Sequence, residues 1–270
     1  MHAFFNSFLT LAGIACGTII PSSLLAQVPH SDVEFGYDSV NNPTVFVIEQ
    51  PNRTTEGFQY FESAFEALDP FAPADLSSDE PGFATNAAEN LSLIAGHQIW
   101  VNTLNAASHS AFGQGYINYF NPLTNSIEAA GSVSIIDNSS VTPNLTLEGA
   151  GVISGVNPQF LSLVDSNGDI HDHLTFDLLN EATSPVGAYG MLLQLQADFN
   201  SDGIFDLTSD PYWLIFNHGM TESEFDARAL RAFGVAAIPE PSSIVVVAAL
   251  IVVAGRRKRR PRMFLGGDRF

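Results

Sequence analysis

The sequence predicts an all-β protein: an antiparallel β-sandwich, jelly-roll-like in plan, with one short helix after its last strand. Three observations predict it. From Val33 to Phe216, short apolar-rich runs are broken by clusters of Gly, Asn, Pro, Ser and Asp, the alternation of strand and turn typical of all-β domains. No helical periodicity runs between them. The stretch 188–199 shows the two-residue period of a half-buried strand: Tyr189, Met191, Leu193, Leu195, Ala197 and Phe199 take one face, while Gln194, Gln196 and Asp198 take the other.

Taken in order, the chain opens with an apolar run from Phe8 to Ile20, followed by Pro21-Ser22-Ser23-Leu24-Leu25-Ala26. This order reads as a secretory signal helix, residues 1–26, cut near Ala26. A second reading makes Cys16 a lipid acceptor behind Gly13-Ile14-Ala15. Residues 27–237 then form the β domain, long enough for one sizeable core. Its expected strands are 33–37, 44–49, 58–62, 91–95, 98–104, 115–120, 131–136, 145–153, 173–179, 188–199 and 211–217. The segment 62–68 can alternatively make one helical turn, because Phe61, Phe65 and Leu68 are spaced by four and three. Tyr212 to Phe216 is apolar on both faces and belongs at the centre of a sheet. After it, Thr221 and Glu224 form a capping box, with Phe225, Ala229 and Phe233 on one side of a short helix and Arg228 and Arg231 near its end.

Charge excludes whole classes of partner. Seven of the ten basic residues follow Pro241, which leaves Arg53, Arg228 and Arg231 in the body against 27 acidic residues, a net charge of −24. Such a body repels nucleic acid and anionic lipid and attracts divalent cations. The one cysteine lies in the leader, so a body cut at Ala26 has no disulfide, thiolate metal site or cysteine nucleophile.

Two Asp-rich loops are the candidates for chemistry. In 198–206, Asp198, Asn200, Asp202 and Asp206 occupy positions 1, 3, 5 and 9 of a calcium loop, Gly203 stands at position 6, and Ile204 offers its carbonyl at position 7. Position 12 is Ser209 rather than a carboxylate. Calcium is therefore the expected cofactor, and an ordinary Asx-type turn is the competing reading of the same residues. In 165–173, Asp165, Asn167 and Asp169 repeat the 1, 3, 5 spacing, and an extended chain beyond them places His171 and His173 on one face. A same-face His pair suits zinc, iron or copper. His-x-His also occurs in cupins, although Gly168 stands too close and no Glu follows at the cupin distance. His97, His109 and His218 are candidate third ligands, and a solvent-facing strand edge is the competing reading. No Gly-x-Ser-x-Gly elbow, phosphate-binding glycine loop or His-Glu-x-x-His helix is present.

The tail gives the address. Ile238-Pro239-Glu240-Pro241-Ser242-Ser243 precedes eleven apolar residues, 244–254, and then Arg256-Arg257-Lys258-Arg259-Arg260. An uncharged run of this kind partitions into hydrocarbon, and the basic block after it stays cytoplasmic, so the body lies across the membrane. Eleven helical residues cover about 16 Å of a roughly 30 Å core, so the span borrows its flanks, thins the bilayer or anchors transiently. The arrangement of 238–260 resembles the PEP-CTERM sorting signal of exported Gram-negative proteins, also catalogued as an ice-binding-protein C-terminal domain. The resemblance implies an exosortase-type membrane protease cutting at Pro239, Glu240 and Pro241. Residues 261–270 run on past the length usual for such tails.

A second block is similar to a recurring, uncharacterised PEP-CTERM family. It is carried by His171-Asp172-His173-Leu174-Thr175-Phe176, by Gly187-Ala188-Tyr189-Gly190 and by Ser209-Asp210-Pro211-Tyr212-Trp213-Leu214-Ile215-Phe216-Asn217, with Glu80-Pro81-Gly82-Phe83 earlier. It implies an exported β domain and brings no catalytic residues with it. The expectation is thus a non-enzymatic protein, first anchored in the inner membrane, then at the cell surface or in the matrix. Its expected partners are the secretion machinery, the protease, the membrane and exopolysaccharide reached through divalent cations. The alternative is a secreted metal-dependent hydrolase or cupin-like oxidoreductase using His171 and His173. Literal ice binding lacks a Thr-rich flat face or repeats.

Overall fold

The computed structural model describes residues 32–40, 43–44, 46–49, 52–67, 76–85, 91–180 and 184–235. The expected signal helix, the Pro239-Glu240-Pro241 motif, the apolar segment 244–254 and the basic block lie outside the described residues.

Strands dominate the described chain, and most pairings are antiparallel. One sheet runs in the order β13 (Gln159–Leu163), β7 (Gln98–Leu104), β16 (Gly187–Asp198), β18 (Tyr212–His218) and β3 (Gln59–Ala64). Three further strands attach to it: β17 (Leu207–Thr208) and β8 (Asn118–Asn121) pair with β16, and β9 (Ser126–Ala129) pairs with β8. A second sheet runs β12 (Gly151–Ser154), β11 (Leu145–Glu148), β10 (Ser132–Asp137), β15 (Leu174–Leu178), β5 (Leu76–Ser78) and β4 (Glu66–Ala67). A third joins β14 (His171–Asp172), β6 (Phe83–Ala84), β1 (Val33–Tyr37) and β2 (Phe46–Glu49). Among the described residues two pairings are parallel, β18 with β3 and β1 with β6.

The core follows from alternation. On β16, Tyr189, Met191, Leu193, Leu195 and Ala197 enter a cluster shared with Val33 and Phe35 of the third sheet and Ile135 and Phe176 of the second. Ala188 and Leu192 point the other way, into a second cluster with Phe225, Ala229 and Phe233. The neighbouring β18 divides likewise, with Tyr212, Leu214 and Phe216 in the first cluster and Trp213 and Ile215 in the second. Strand β18 is apolar on both faces because it is covered on both.

The covering element on the second face is one short helix over 222–232, built of an α-turn Glu222–Glu224, a π-helical segment Phe225–Ala229 and an α-turn Leu230–Ala232. Its start is the expected capping box: the Thr221 hydroxyl accepts the Glu224 N–H at 3.3 Å and donates to the Glu224 carboxylate at 3.0 Å. Arg228 donates to the Pro122 carbonyl and lies over the Phe120 ring, tying the helix to the β8–β9 hairpin.

Three sequence expectations need correction. Residues 91–95 form no strand, although Leu91 and Leu93 are buried; the chain packs there as a loop, with Leu93 N–H donating to the Gly168 carbonyl at 3.0 Å. Residues 145–153 are not one strand but β11 and β12, paired antiparallel around a turn at 149–150. Over its described residues, 62–67, the expected helical turn of 62–68 is not made: β3 continues to Ala64, and β4 follows.

Candidate functional site

The 198–206 loop connects β16 to β17, and Asp198 organises it. Its carboxylate accepts the N–H of Gly203 at 2.7 Å, Asn200 at 3.1 Å and Asp202 at 3.3 Å. Burial pushes this carboxyl up, but the amides of Gly203, Asn200, Asp202 and Ser201 outweigh it and hold it below the usual carboxylate range. Ser201 and Gly203 take positive φ, 56° and 80°, which curls their amides toward the carboxylate. Asp206 accepts the Phe199 N–H at 2.8 Å, and Asp202 accepts that of Ile204 at 2.9 Å. Ser209 is buried and bonded to β16 through the Leu195 N–H, away from the loop. The exposed side chains of the set are Asn200, Asp202, Ile204 and Asp206.

The second loop repeats the solution. Asp165 accepts the N–H of Asn167 at 2.7 Å and of Asp169 at 3.0 Å, and those bonds hold its carboxyl below the usual range. From there the chain enters β14, whose register sets His171 opposite Ala84 and Asp172 opposite Phe83. Strand β6 in turn sets Phe83 beside Val33, so Asp32, one residue before β1, arrives next to the histidines.

The two imidazoles lie side by side with ring centroids 5.2 Å apart. His171 Nε2 stands 3.4 Å from Asp32 Oδ2. His173 Nδ1 lies 2.7 Å from the Asp79 carbonyl. A carbonyl only accepts, so Nδ1 carries the proton, and in the neutral ring Nε2 keeps the lone pair. Asp32 is the neighbour that sequence reasoning missed. Of the three histidines weighed as third ligands, His97 bonds the Tyr37 hydroxyl at 2.9 Å and stacks on Phe199, His218 meets the Tyr189 ring edge-on, and the exposed His109 closes the 3-10 turn Ala106–Ser108 through its backbone N–H. Among the described residues, no group of three or more His, Cys, Asp or Glu side chains is placed to hold a metal ion. A cleft of about 610 Å³ runs along His171, Asp169 and Thr85.

A third acidic group sits beneath the helix. Burial, then Asp226 and Glu222, push the Glu62 carboxyl on β3 up to about 7.

No family model matches the sequence, and no curated protein matches it. Among solved structures the chain is similar to the CupB6 tip adhesin from Pseudomonas aeruginosa, at a TM-score of 0.30 and 13% identity over 71% of this chain and 44% of that one. The chain thus spans less than half of that protein's structure, and a likeness at this level gives it neither a fold nor an activity.

Proposed function

We propose that the chain is an exported, non-enzymatic protein of the cell surface or extracellular matrix, made as a membrane-anchored precursor and sorted by a PEP-CTERM-type tail. In this reading its three sheets form a β-sandwich that serves as a stable, highly acidic display body. The observation that carries it is the charge division along the sequence: 27 acidic residues in the body, then Pro239-Glu240-Pro241, an uncharged apolar run and five consecutive basic residues. That order fixes a direction across a membrane. The cation part of the reading rests on the exposed Asn200, Asp202 and Asp206 of the 198–206 loop, which offer oxygens to calcium while Asp198 keeps the turn in shape.

The test is to replace Pro239, Glu240 and Pro241 together by alanine. The native chain should leave the membrane fraction as a shortened form, and the variant should stay there at full length. A native chain of full length in the soluble cytosolic fraction would overturn the proposal.

A further inference from the structure

We propose that the part of the eight-stranded sheet's outer face centred on Trp100 is a binding surface for a neutral polysaccharide chain. The inference rests on the export reading for its partner, a glycan of the surface or matrix, but assigns the contact to side chains of the sheet and not to bound cations.

The surface is a row that crosses four strands. Register sets Phe160 of β13 opposite Trp100 of β7, Trp100 opposite Gln196 of β16, and Gln196 opposite Thr208 of β17. Directly opposed residues share a face, and neighbouring strands lie about 4.7–4.9 Å apart, so the row spans roughly 14 Å. That length suits a short run of linked sugar rings. On the same face Asn102 stands opposite Gln194, and Phe205 meets the Trp100 ring edge-on at 5.9 Å. Leu192 is the last residue of β16 in the cluster under the helix. Beyond it Gln194 and Gln196 are half-buried, as are Trp100, Asn102 and Phe205, so rings and amides meet solvent together.

The chemistry of the row selects its occupant. A body with 27 acidic residues places none in this row, only aromatic rings, amides and a hydroxyl. Asp198, further along the same face of β16, is taken up by the amides of its own loop. A cation therefore finds no carboxylate here, and an anionic polymer is repelled by the charge of the body as a whole. What fits is an uncharged ligand that is apolar on one side and hydroxylated around its edge. A pyranose ring has that character: its C–H face lies on the electron-rich face of an indole, and its hydroxyls donate to and accept from primary amides.

The row also carries unmade hydrogen bonds. Trp100 Nε1 and Gln196 Oε1, a donor and an acceptor on directly opposed residues, have no partner among the described residues. A hydroxyl donates and accepts at once, so it is the group that pairs with both. Gln194, by contrast, is already fixed by donation to the Ser209 carbonyl at 2.6 Å.

The experiment runs the full chain in detergent, with chelator present, through native gels cast with hydroxyethylcellulose, laminarin or dextran, and with alginate as the acidic control. The expected result is retardation by at least one neutral polymer and none by alginate. Soluble oligosaccharide of that polymer should change the tryptophan emission. Of the two tryptophans Trp213 is fully buried, so the change reports Trp100 and disappears in Trp100→Phe. Gln196→Glu, and Thr208→Glu at an exposed position, should each weaken binding by on the order of tenfold by setting an unpaired charge against the ligand. Thr208→Glu should leave the melting temperature unchanged, so it carries the test if Gln196→Glu fails to fold. Asp202→Asn with Asp206→Asn should bind as the native chain does. No retardation by any neutral polymer would overturn the proposal, and so would retardation by alginate of equal strength or binding that withstands Thr208→Glu. A dimer in sedimentation that Thr208→Glu splits would also overturn it, by showing that the face joins two copies. Each of these outcomes is read on purified protein, so none bears on how the chain is sorted.

Discussion

The ring of Phe233 occupies the space above Gly190: a Cβ at residue 190 would lie 2.4 Å from Phe233 Cε1. The helix is seated on the eight-stranded sheet through this contact, with Trp213 beside the same ring at a centroid distance of 5.3 Å.

Gly190→Ala should therefore destabilise by about 1–3 kcal/mol through overpacking, and Phe233→Ala by about 3–5 kcal/mol through the cavity it leaves. Urea unfolding measures both. Because the two residues share one space, the double variant should cost less than the sum of the single ones. Additive costs would mean that the helix is held elsewhere.

The acidic group beneath the helix makes stability fall with rising pH. With its carboxyl raised from 4.5 to about 7, folded Glu62 binds a proton that unfolded Glu62 has released, so stability present below about 4.5 is progressively lost as pH climbs toward 7. Glu62→Gln should remove that dependence and raise stability at pH 8 by on the order of 1–2 kcal/mol. Asp226 and Glu222 are the charges facing it; a native and a variant protein with the same pH profile would count against this arrangement.

Asp198 and Asp137 act with the opposite sign. Asp137, buried, accepts the Ser139 N–H at 2.7 Å and the Val141 and Thr142 N–H groups at 2.8 Å each. Burial raises its carboxyl, and these bonds together with the Ser139 and Thr142 hydroxyls bring it below the usual range. Both carboxylates stabilise the fold above the ordinary Asp pKa of about 3.9 and stop doing so as pH falls through their lowered folded values. Acid unfolding should thus begin below about pH 4, and Asp137→Asn should unfold at a higher pH than the native chain in an acid titration followed by tryptophan fluorescence.

Much of the fold was legible because alternation reports burial. Strand β16 and the two-faced β18 were readable from Tyr189 to Ala197 and from Tyr212 to Phe216, and so was the Thr221–Glu224 cap. What alternation cannot report is pairing. Leu91 and Leu93 alternate and are buried, yet their segment docks as a loop. Strand β13 escaped notice because the register slips between Phe160 and Ser162, which breaks the two-residue period. Strands β6, β14 and β17 have two residues each, too few for any period. The His171–His173 pair was visible as a spacing, but Asp32 was not: it lies far away in sequence and arrives only through the β14–β6–β1 pairing.

For the Asp-rich loop, the carboxylates that remain exposed set the expectation. Millimolar calcium should raise the melting temperature of the native chain by a few degrees, and Asp202→Asn with Asp206→Asn should abolish the shift, since ligand binding to the folded state alone stabilises it by mass action. No shift in the native chain would leave 198–206 as a turn held by Asp198 and no more.

The most direct measurement of the export reading is a reporter that becomes active only outside the cytoplasm, fused after Phe233 in a Gram-negative host, with the leader present or deleted. The reading predicts activity on intact cells that depends on residues 1–26. Equal reporter activity without the leader, or activity confined to the cytosol when a cytoplasmic reporter is fused at the same point, would contradict it.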